Sequence, residues 1–190
     1  GIQGSNAAIT FRRLAIMDVS NGMQPFETED GAVAAAVNGE IYNHSELKRR
    51  FLSNYAFRSR SDCEVVLHLY MELGERAIPL LDGMFAGVIL DTRSGRLILF
   101  RDRLGVKPMF YVQSKEKFLF ASEIKALLSH PDCPRRFDWE GALSDPWLIQ
   151  DPALAHDAET SFFKGVNCIP AAGIVTLNID GWHLHEKRYW

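Results

Sequence analysis

An α+β layered domain is the fold class that this sequence predicts, and three observations lead to it. Short apolar strands group together between residues 85 and 121 and again towards the end, while helical periodicity is concentrated beside them at 43–51 and 61–74. The length, 190 residues, suits one domain spanning 1–190 with enough chain to bury a real core. The composition, 47% hydrophobic and 24% charged, is that of an ordinary globular protein.

Taken in order, residues 7–17 read as a strand, Ile9, Phe11 and Ala15 interleaving with Thr10, Arg12 and Arg13, before the turn cluster Asp18-Val19-Ser20-Asn21-Gly22. The small apolar run 33–37 reads as a short buried strand. Asn38-Gly39 follows as a turn signal, because both residues tolerate positive φ, and a short loop leads into a helix. Asn43 is that helix's cap, Glu46 its capping-box partner, and Leu47 and Phe51 share a face. After an extended piece at 57–60, Ser61 and Glu64 form a second capping box and launch a helix with Val66, Leu69, Tyr70 and Leu73 on one side. Gly74 ends it, and a short helix through 77–81 accommodates Pro79 in its first turn.

From Met84 the period changes. Residues 85–90, 96–100, 109–112 and 118–121 read as the strands of a meander. Ser122 caps a helix carrying Ile124, Leu127 and Leu128, which His130-Pro131-Asp132 stops. Residues 135–160 read as one short helix and a long loop containing Pro146 and Pro152. Residues 162–169, 174–178 and 182–189 read as closing strands, with Asp180-Gly181 as a hairpin turn.

Composition and charge exclude several classes of function. A net charge of −3 without an extended basic stretch gives no footing for nucleic acid or an anionic membrane. The longest apolar run, 78–90, is interrupted by Asp82 and is too short to span a bilayer, and there is no signal-peptide pattern. Cys63, Cys133 and Cys168 are odd in number and lack metal-type spacing, which points to a reducing cytoplasm.

Several residues can carry chemistry, each with a plainer reading beside it. Asn38-Gly39 is ordinary turn chemistry, or else a side-chain amide and a backbone N–H converging on an oxyanion. Asp62, in the first turn of the helix opened by Ser61, complements a helix dipole or binds a cation. Glu40 reads as a solvated loop acid. Arg12 and Arg13 point to opposite faces of a strand, so at most one of them enters a given cleft; otherwise they are edge charges. Arg101-Asp102 reads as a structural ion pair or turn lock, His183 and His185 as a solvated face, and Cys63 as a small buried core residue.

Six motifs occur in order: Arg13-Leu14-Ala15-Ile16-Met17-Asp18, Asn38-Gly39-Glu40-Ile41-Tyr42-Asn43, Ser61-Asp62-Cys63-Glu64-Val65, Gly83-Met84-Phe85-Ala86, Arg101-Asp102-Arg103-Leu104-Gly105-Val106-Lys107-Pro108 and Ala121-Ser122-Glu123-Ile124-Lys125-Ala126-Leu127. Together they resemble the glutaminase (class II glutamine amidotransferase) domain of glutamine-hydrolysing asparagine synthetases, the match weakening between about residues 131 and 160. The resemblance implies an Ntn-hydrolase-type four-layer αββα sandwich with two antiparallel sheets. It implies glutamine as substrate, hydrolysed to glutamate and ammonia for ATP-dependent amide formation in a following domain. By resemblance Asn38 and Gly39 form the oxyanion hole, Asp62 holds the substrate ammonium, and Arg13 grips the α-carboxylate bidentately. Leu14, Ile16 and Met17 then line the cleft, and Glu40 lies beside the bound glutamine.

The family's nucleophile is an N-terminal cysteine, followed by a His-Arg-Gly-Pro-Asp stretch; here the chain begins at Gly1 and its first cysteine is Cys63. At the other end, Arg188-Tyr189-Trp190 resembles the hand-over to the synthetase domain. The expectation is therefore the core of a glutaminase domain from a longer protein, inactive by itself. No cofactor is expected in this domain, and ATP with Mg²⁺ is expected for the synthetase domain. Expected partners are glutamine, that synthetase domain and, as a candidate, a second copy of the chain. The alternative is a non-catalytic scaffold on an amide-forming enzyme resembling β-lactam synthetases or lasso-peptide cyclases. Phosphoribosyl- and hexosamine-type amidotransferases share the fold, but the Val37-to-Asn43 and Leu104-to-Pro108 forms resemble the asparagine branch more closely.

Overall fold

A computed structural model describes residues 2–3, 7–11, 22–143 and 161–190. The chain divides into two compact units, Gly1–Lys107 with Ala171–Trp190, and Pro108–Pro170.

In the first unit, a two-stranded ribbon pairs β1 (Ile2–Gln3) with β2 (Ala8–Ile9). The expected strand at 7–17 is thus seen only at Ala8–Ile9, and residues 12–21 lie outside the described residues. A six-stranded antiparallel sheet forms the body of the unit. Its strands are β3 (Phe26–Glu27), β4 (Val33–Ile41), β5 (Gly83–Asp91), β6 (Arg96–Arg101), β10 (Gly173–Asn178) and β11 (His183–Arg188), in the spatial order β11-β10-β6-β5-β4-β3. Beside them lie α1 (His44–Phe51), α2 (Glu64–Leu73) and a 3₁₀ segment, Gly74–Leu80. Odd-numbered β4 residues Val33, Ala35 and Val37 pack with Phe85, Ile89, Ile98, Phe100 and Ile174 against Leu47, Val66, Leu69 and Ile78 of the helices. The opposite face, with Ala34, Ala36, Val88, Leu90, Leu97 and Leu99, is buried as well. That double burial explains the nearly continuous apolar runs of β4 to β6.

The second unit holds a three-stranded antiparallel sheet, ordered β8-β7-β9, from β7 (Phe110–Gln113), β8 (Phe118–Ala121) and β9 (Asn167–Cys168). Two short helices, α3 (Ile124–Leu128) and α4 (Trp139–Leu143), accompany it. Val112, Leu127, Cys133 and Val166 form its small core. The four strands read as one meander are therefore shared between two sheets. None of the described helices is long and apolar enough to cross a membrane.

Two local expectations are corrected. The strand predicted over 33–37 runs on through Asn38 and Gly39 to Ile41, so the Asn-Gly pair lies inside a ladder and not in a turn. Neither expected capping box forms, because the side chains concerned have distant partners. Asn43 donates from Nδ2 to the Leu80 carbonyl (2.9 Å) and accepts from the Asp82 N–H (3.0 Å), tying the exit of β4 to the entry of β5. The Glu64 carboxylate accepts from the N–H groups of Arg58 (2.7 Å) and Ser59 (2.8 Å) and from Ser59 Oγ (2.6 Å). Cys63, not Ser61, is the residue that caps α2, which places Asp62 ahead of the helix and not in its first turn. Gly74, at φ +63°, closes α2 as expected.

Candidate active site

Antiparallel pairing decides which β4 groups stay inside the sheet and which face its edge. The bonds from Tyr42 N–H to Asp82 O (2.7 Å) and from Thr92 N–H to Ala32 O (2.9 Å) put the even-numbered β4 residues in hydrogen-bonded pairs towards β5. The odd-numbered N–H groups therefore face the other edge, past the two-residue β3. Two of them are captured by side chains: Val37 N–H donates to Gln24 Oε1 (2.6 Å) and Ile41 N–H to Asp62 Oδ2 (2.6 Å). Gln24 returns a bond from Nε2 to the Val37 carbonyl (3.0 Å), so its amide stands in for a strand residue. The Gly39 N–H faces the same edge, between these two anchored positions.

Gly39 is required there. Its φ is +137°, and a Cβ would lie 2.0 Å from the Met84 carbonyl oxygen. Across the ladder Gly83, at φ +155°, brings its own Cα under the Glu40 carbonyl in the same way. The two glycines let β4 and β5 close around the Glu40–Met84 pair, which a side chain at either position would prevent.

Asp62 and Cys63 meet this edge from the start of α2. The Cys63 thiol donates to the Gly39 carbonyl (3.4 Å) and lies 3.7 Å from Asp62 Oδ2. Cys63 is buried in the core, where a nucleophile would be out of reach. Asp62 is 5% exposed, and among the described residues no basic side chain forms an ion pair with it. Ile41 N–H and the positive end of α2 support its charge. With one oxygen engaged, the carboxylate keeps acceptor capacity for a cation. Alternation puts the Asn38 and Glu40 side chains on the sheet face away from the helices. Asn38, Gly39 and Asp62 are thus gathered at one end of β4. Arg13, Leu14, Ile16 and Met17 lie outside the described residues.

Behind the site, Asp102 fixes the neighbouring strands. Its carboxylate accepts from the N–H groups of Phe85 (3.2 Å), Leu104 (3.1 Å), Val106 (2.9 Å) and Lys107 (3.0 Å), and Phe85 is the residue opposite Gly39. Arg101 donates from Nε to Lys107 O (2.7 Å) and from Nη2 to Gly105 O. Arg101-Asp102 is accordingly a turn lock. His183 and His185 lie exposed on β11, and among the described residues no cluster of three His, Cys, Asp or Glu could hold a metal ion.

Gln24 was not singled out from the sequence, and Glu64 was read only as a capping-box acid, although both organise the site's surroundings. Burial pushes the Glu64 carboxyl up, but the bonds from Ser59, Arg58 and His68 outweigh it and hold the group below the ordinary glutamate range. An acid inside the apolar stretch Cys63-Glu64-Val65-Val66 was the available signal for it. Gln24 offered none.

Comparison with known proteins shows what the chain is similar to. The family described as glutamine amidotransferase domain matches residues 2–190. Asparagine synthetase [glutamine-hydrolyzing] 2 of Bacillus subtilis is 45% identical over 186 residues, covering 98% of this chain and 25% of that protein. Asparagine synthetase [glutamine-hydrolyzing] 3 of the same organism is 39% identical, over 94% of this chain and 29% of its own length. The chain thus spans about a quarter of the length of these relatives. Among solved structures, the glutamine phosphoribosylpyrophosphate amidotransferase of B. subtilis superposes with a TM-score of 0.57 at 18% identity, covering 88% of this chain and 32% of that one. A structure described as the allosteric regulatory enzyme of purine biosynthesis gives 0.58 at 18% identity, over 90% and 32%. These two likenesses concern the fold.

Proposed function

Since this chain belongs to the glutamine amidotransferase domain family and is related to glutamine-hydrolysing asparagine synthetases, we infer that it is the glutamine-hydrolysing part of a longer amide-forming enzyme. In this reading the fold is of the Ntn-hydrolase αββα type, and glutamine sits at the edge of β4. Asp62 holds its ammonium and Arg13 its carboxylate, so that free glutamine is taken and peptide-linked glutamine refused. A thiolate from an N-terminal cysteine of the parent protein attacks the side-chain amide. The resulting oxyanion is stabilised by Asn38 Nδ2 and the Gly39 N–H, ammonia departs, and water releases glutamate from the thioester. The amide-forming domain then consumes the ammonia with ATP and Mg²⁺, in a reducing cytoplasm.

The observation that supports this reading most is the edge of β4. There, a glycine N–H at a position that only glycine can occupy lies near a buried carboxylate that keeps acceptor capacity for a cation. The test is Asn38→Ala in the full-length parent. Loss of one oxyanion donor costs ~2.7–4 kcal/mol, so glutamine hydrolysis falls by about two to three orders of magnitude. Amide synthesis from added ammonia continues. Unchanged glutamine turnover would refute the oxyanion assignment. If the residue exposed by removal of the parent's initiator methionine is not cysteine, the scaffold reading replaces the enzyme.

A further inference from the structure

The backbone N–H groups of Ala35, Val37, Gly39 and Ile41 face the outer edge of β4 in succession, and they meet different fates. Ala35 pairs with Phe26 of β3, in the same phase as Val33, whose carbonyl accepts from the Thr28 N–H (3.0 Å). Val37 is taken by the Gln24 side chain and Ile41 by Asp62. Gly39 is not turned inward either. Opposite it, the Phe85 N–H donates to the Asp102 carboxylate (3.2 Å) and the Phe85 carbonyl accepts from the Asp102 N–H (2.8 Å), so this pair exchanges no ladder bond. Carried back along the chain, the β3–β4 register sets Gln24 opposite Val37 and the buried Gly22 opposite Gly39. A β3 strand extended to that point would use up the Gly39 N–H. Instead the backbone bends at Gln24 and Pro25, and a side-chain amide makes the bonds that the backbone of residue 24 would have made.

A glutamine amide suits this task because it both accepts and donates. Oε1 takes the Val37 N–H (2.6 Å) and Nε2 gives to the Val37 carbonyl (3.0 Å), so the peptide planes on either side of Val37 are held at once. The next plane along carries the Gly39 N–H, and beyond it the Asp62 bond holds the plane of the Ile41 N–H. The open donor is therefore fixed from both sides. Hydrogen bonds weaken steeply as the donor angle falls, and a displacement of about 1 Å at a reacting centre can cost a hundredfold in rate. Gln24 is 9% exposed, which leaves little room for water to replace its amide.

We propose that Gln24 is a positioning residue for glutamine hydrolysis: standing in for a strand at Val37, it ends the β3 ladder short of Gly39 and holds the Gly39 N–H outward for the oxyanion. The proposal rests on the functional reading above for the oxyanion, though not for the open N–H. Two experiments on the full-length parent separate the two, with Gln24→Met as the variant, whose thioether can donate nothing to the Val37 carbonyl. The first is residue-resolved amide hydrogen exchange without glutamine. In wild type, Gly39 exchanges at least about tenfold faster than Val37 and Ile41; in the variant Val37 loses its protection and Ile41 keeps it. Gly39 exchanging as slowly as Val37, or Val37 protection that survives the substitution, overturns the proposal. The wild-type comparison decides even where Gln24→Met fails to fold. The second is kinetic. Gln24→Met lowers kcat for glutamine hydrolysis about ten- to a hundredfold, while KM stays within about twofold because Asp62 and its anchor are untouched. Ammonia-dependent synthesis stays at the wild-type level. The aldehyde analogue of glutamine, whose tetrahedral adduct with the thiolate carries the oxyanion, binds more weakly by the factor by which kcat falls. An unchanged kcat, a loss confined to KM, or a fall in kcat with aldehyde affinity intact overturns the proposal. A wild-type parent that hydrolyses no glutamine counts against the functional reading alone, because the exchange rates still decide whether Gln24 keeps the Gly39 N–H open.

Discussion

Asp62 and Asp102 lie at the same end of one sheet, both all but sealed from water, at 5% and 1% exposure. Asp102 is saturated, because four backbone N–H groups converge on its carboxylate. Asp62 takes one backbone N–H, from Ile41, and has the Cys63 thiol nearby. A buried carboxylate whose acceptor sites are filled by the chain is part of the scaffold; one that keeps acceptor capacity beside an edge strand can receive a ligand. Glu64 falls with Asp102, its oxygens occupied by Arg58, Ser59 and His68. Burial alone therefore does not tell these acids apart; the degree to which the chain satisfies them does.

The comparison predicts different failures. Asp102→Ala strands four N–H groups at about 1–3 kcal/mol each, so the parent should fail to yield soluble folded protein; a melting temperature near wild type would show that the turn lock is dispensable. Gly39→Ala drives a methyl into the Met84 carbonyl at a φ that alanine resists, and should cost about 3 kcal/mol or more, measured as a lower unfolding midpoint with glutamine hydrolysis lost alongside. Glu64→Gln should destabilise by about 1–2 kcal/mol at neutral pH. Because the folded-state pKa of Glu64 is lowered, its contribution is complete above the ordinary glutamate range and is lost as pH falls through that lowered value. The difference between Glu64→Gln and wild type in thermal unfolding should accordingly shrink towards zero in acid; a difference that grows instead would mean the sign is wrong.

Much of this was legible in the sequence where the physics is local. Periodicity fixed α2, the Gly74 stop and β8, because apolar spacing and a positive-φ glycine act within a few residues. Expectations failed where a distant partner intervened. Asn43 reads as a helix cap until Leu80 and Asp82 claim its amide, and Glu64 reads as a capping-box acid until the 58–59 backbone claims its carboxylate. Asn38-Gly39 reads as a turn because nothing in the flanking residues announces Gly83, the second glycine that lets the ladder run straight through. Strand partners were likewise invisible, so one expected meander became parts of two sheets. The proximity of Asp62 to the β4 edge came from the family resemblance and not from spacing.

The open carboxylate is tested most directly by comparing L-glutamine with glutaramate, which lacks the α-ammonium, as substrates of the full-length parent and its Asp62→Asn variant. Asparagine at 62 still accepts the Ile41 N–H, so the fold should persist while the charge is gone. The account predicts that wild type prefers glutamine by about a hundredfold or more in kcat/KM, as expected for an ion pair worth roughly 3 kcal/mol in a buried site, and that the preference collapses towards unity in the variant. An undiminished preference in Asp62→Asn would contradict it.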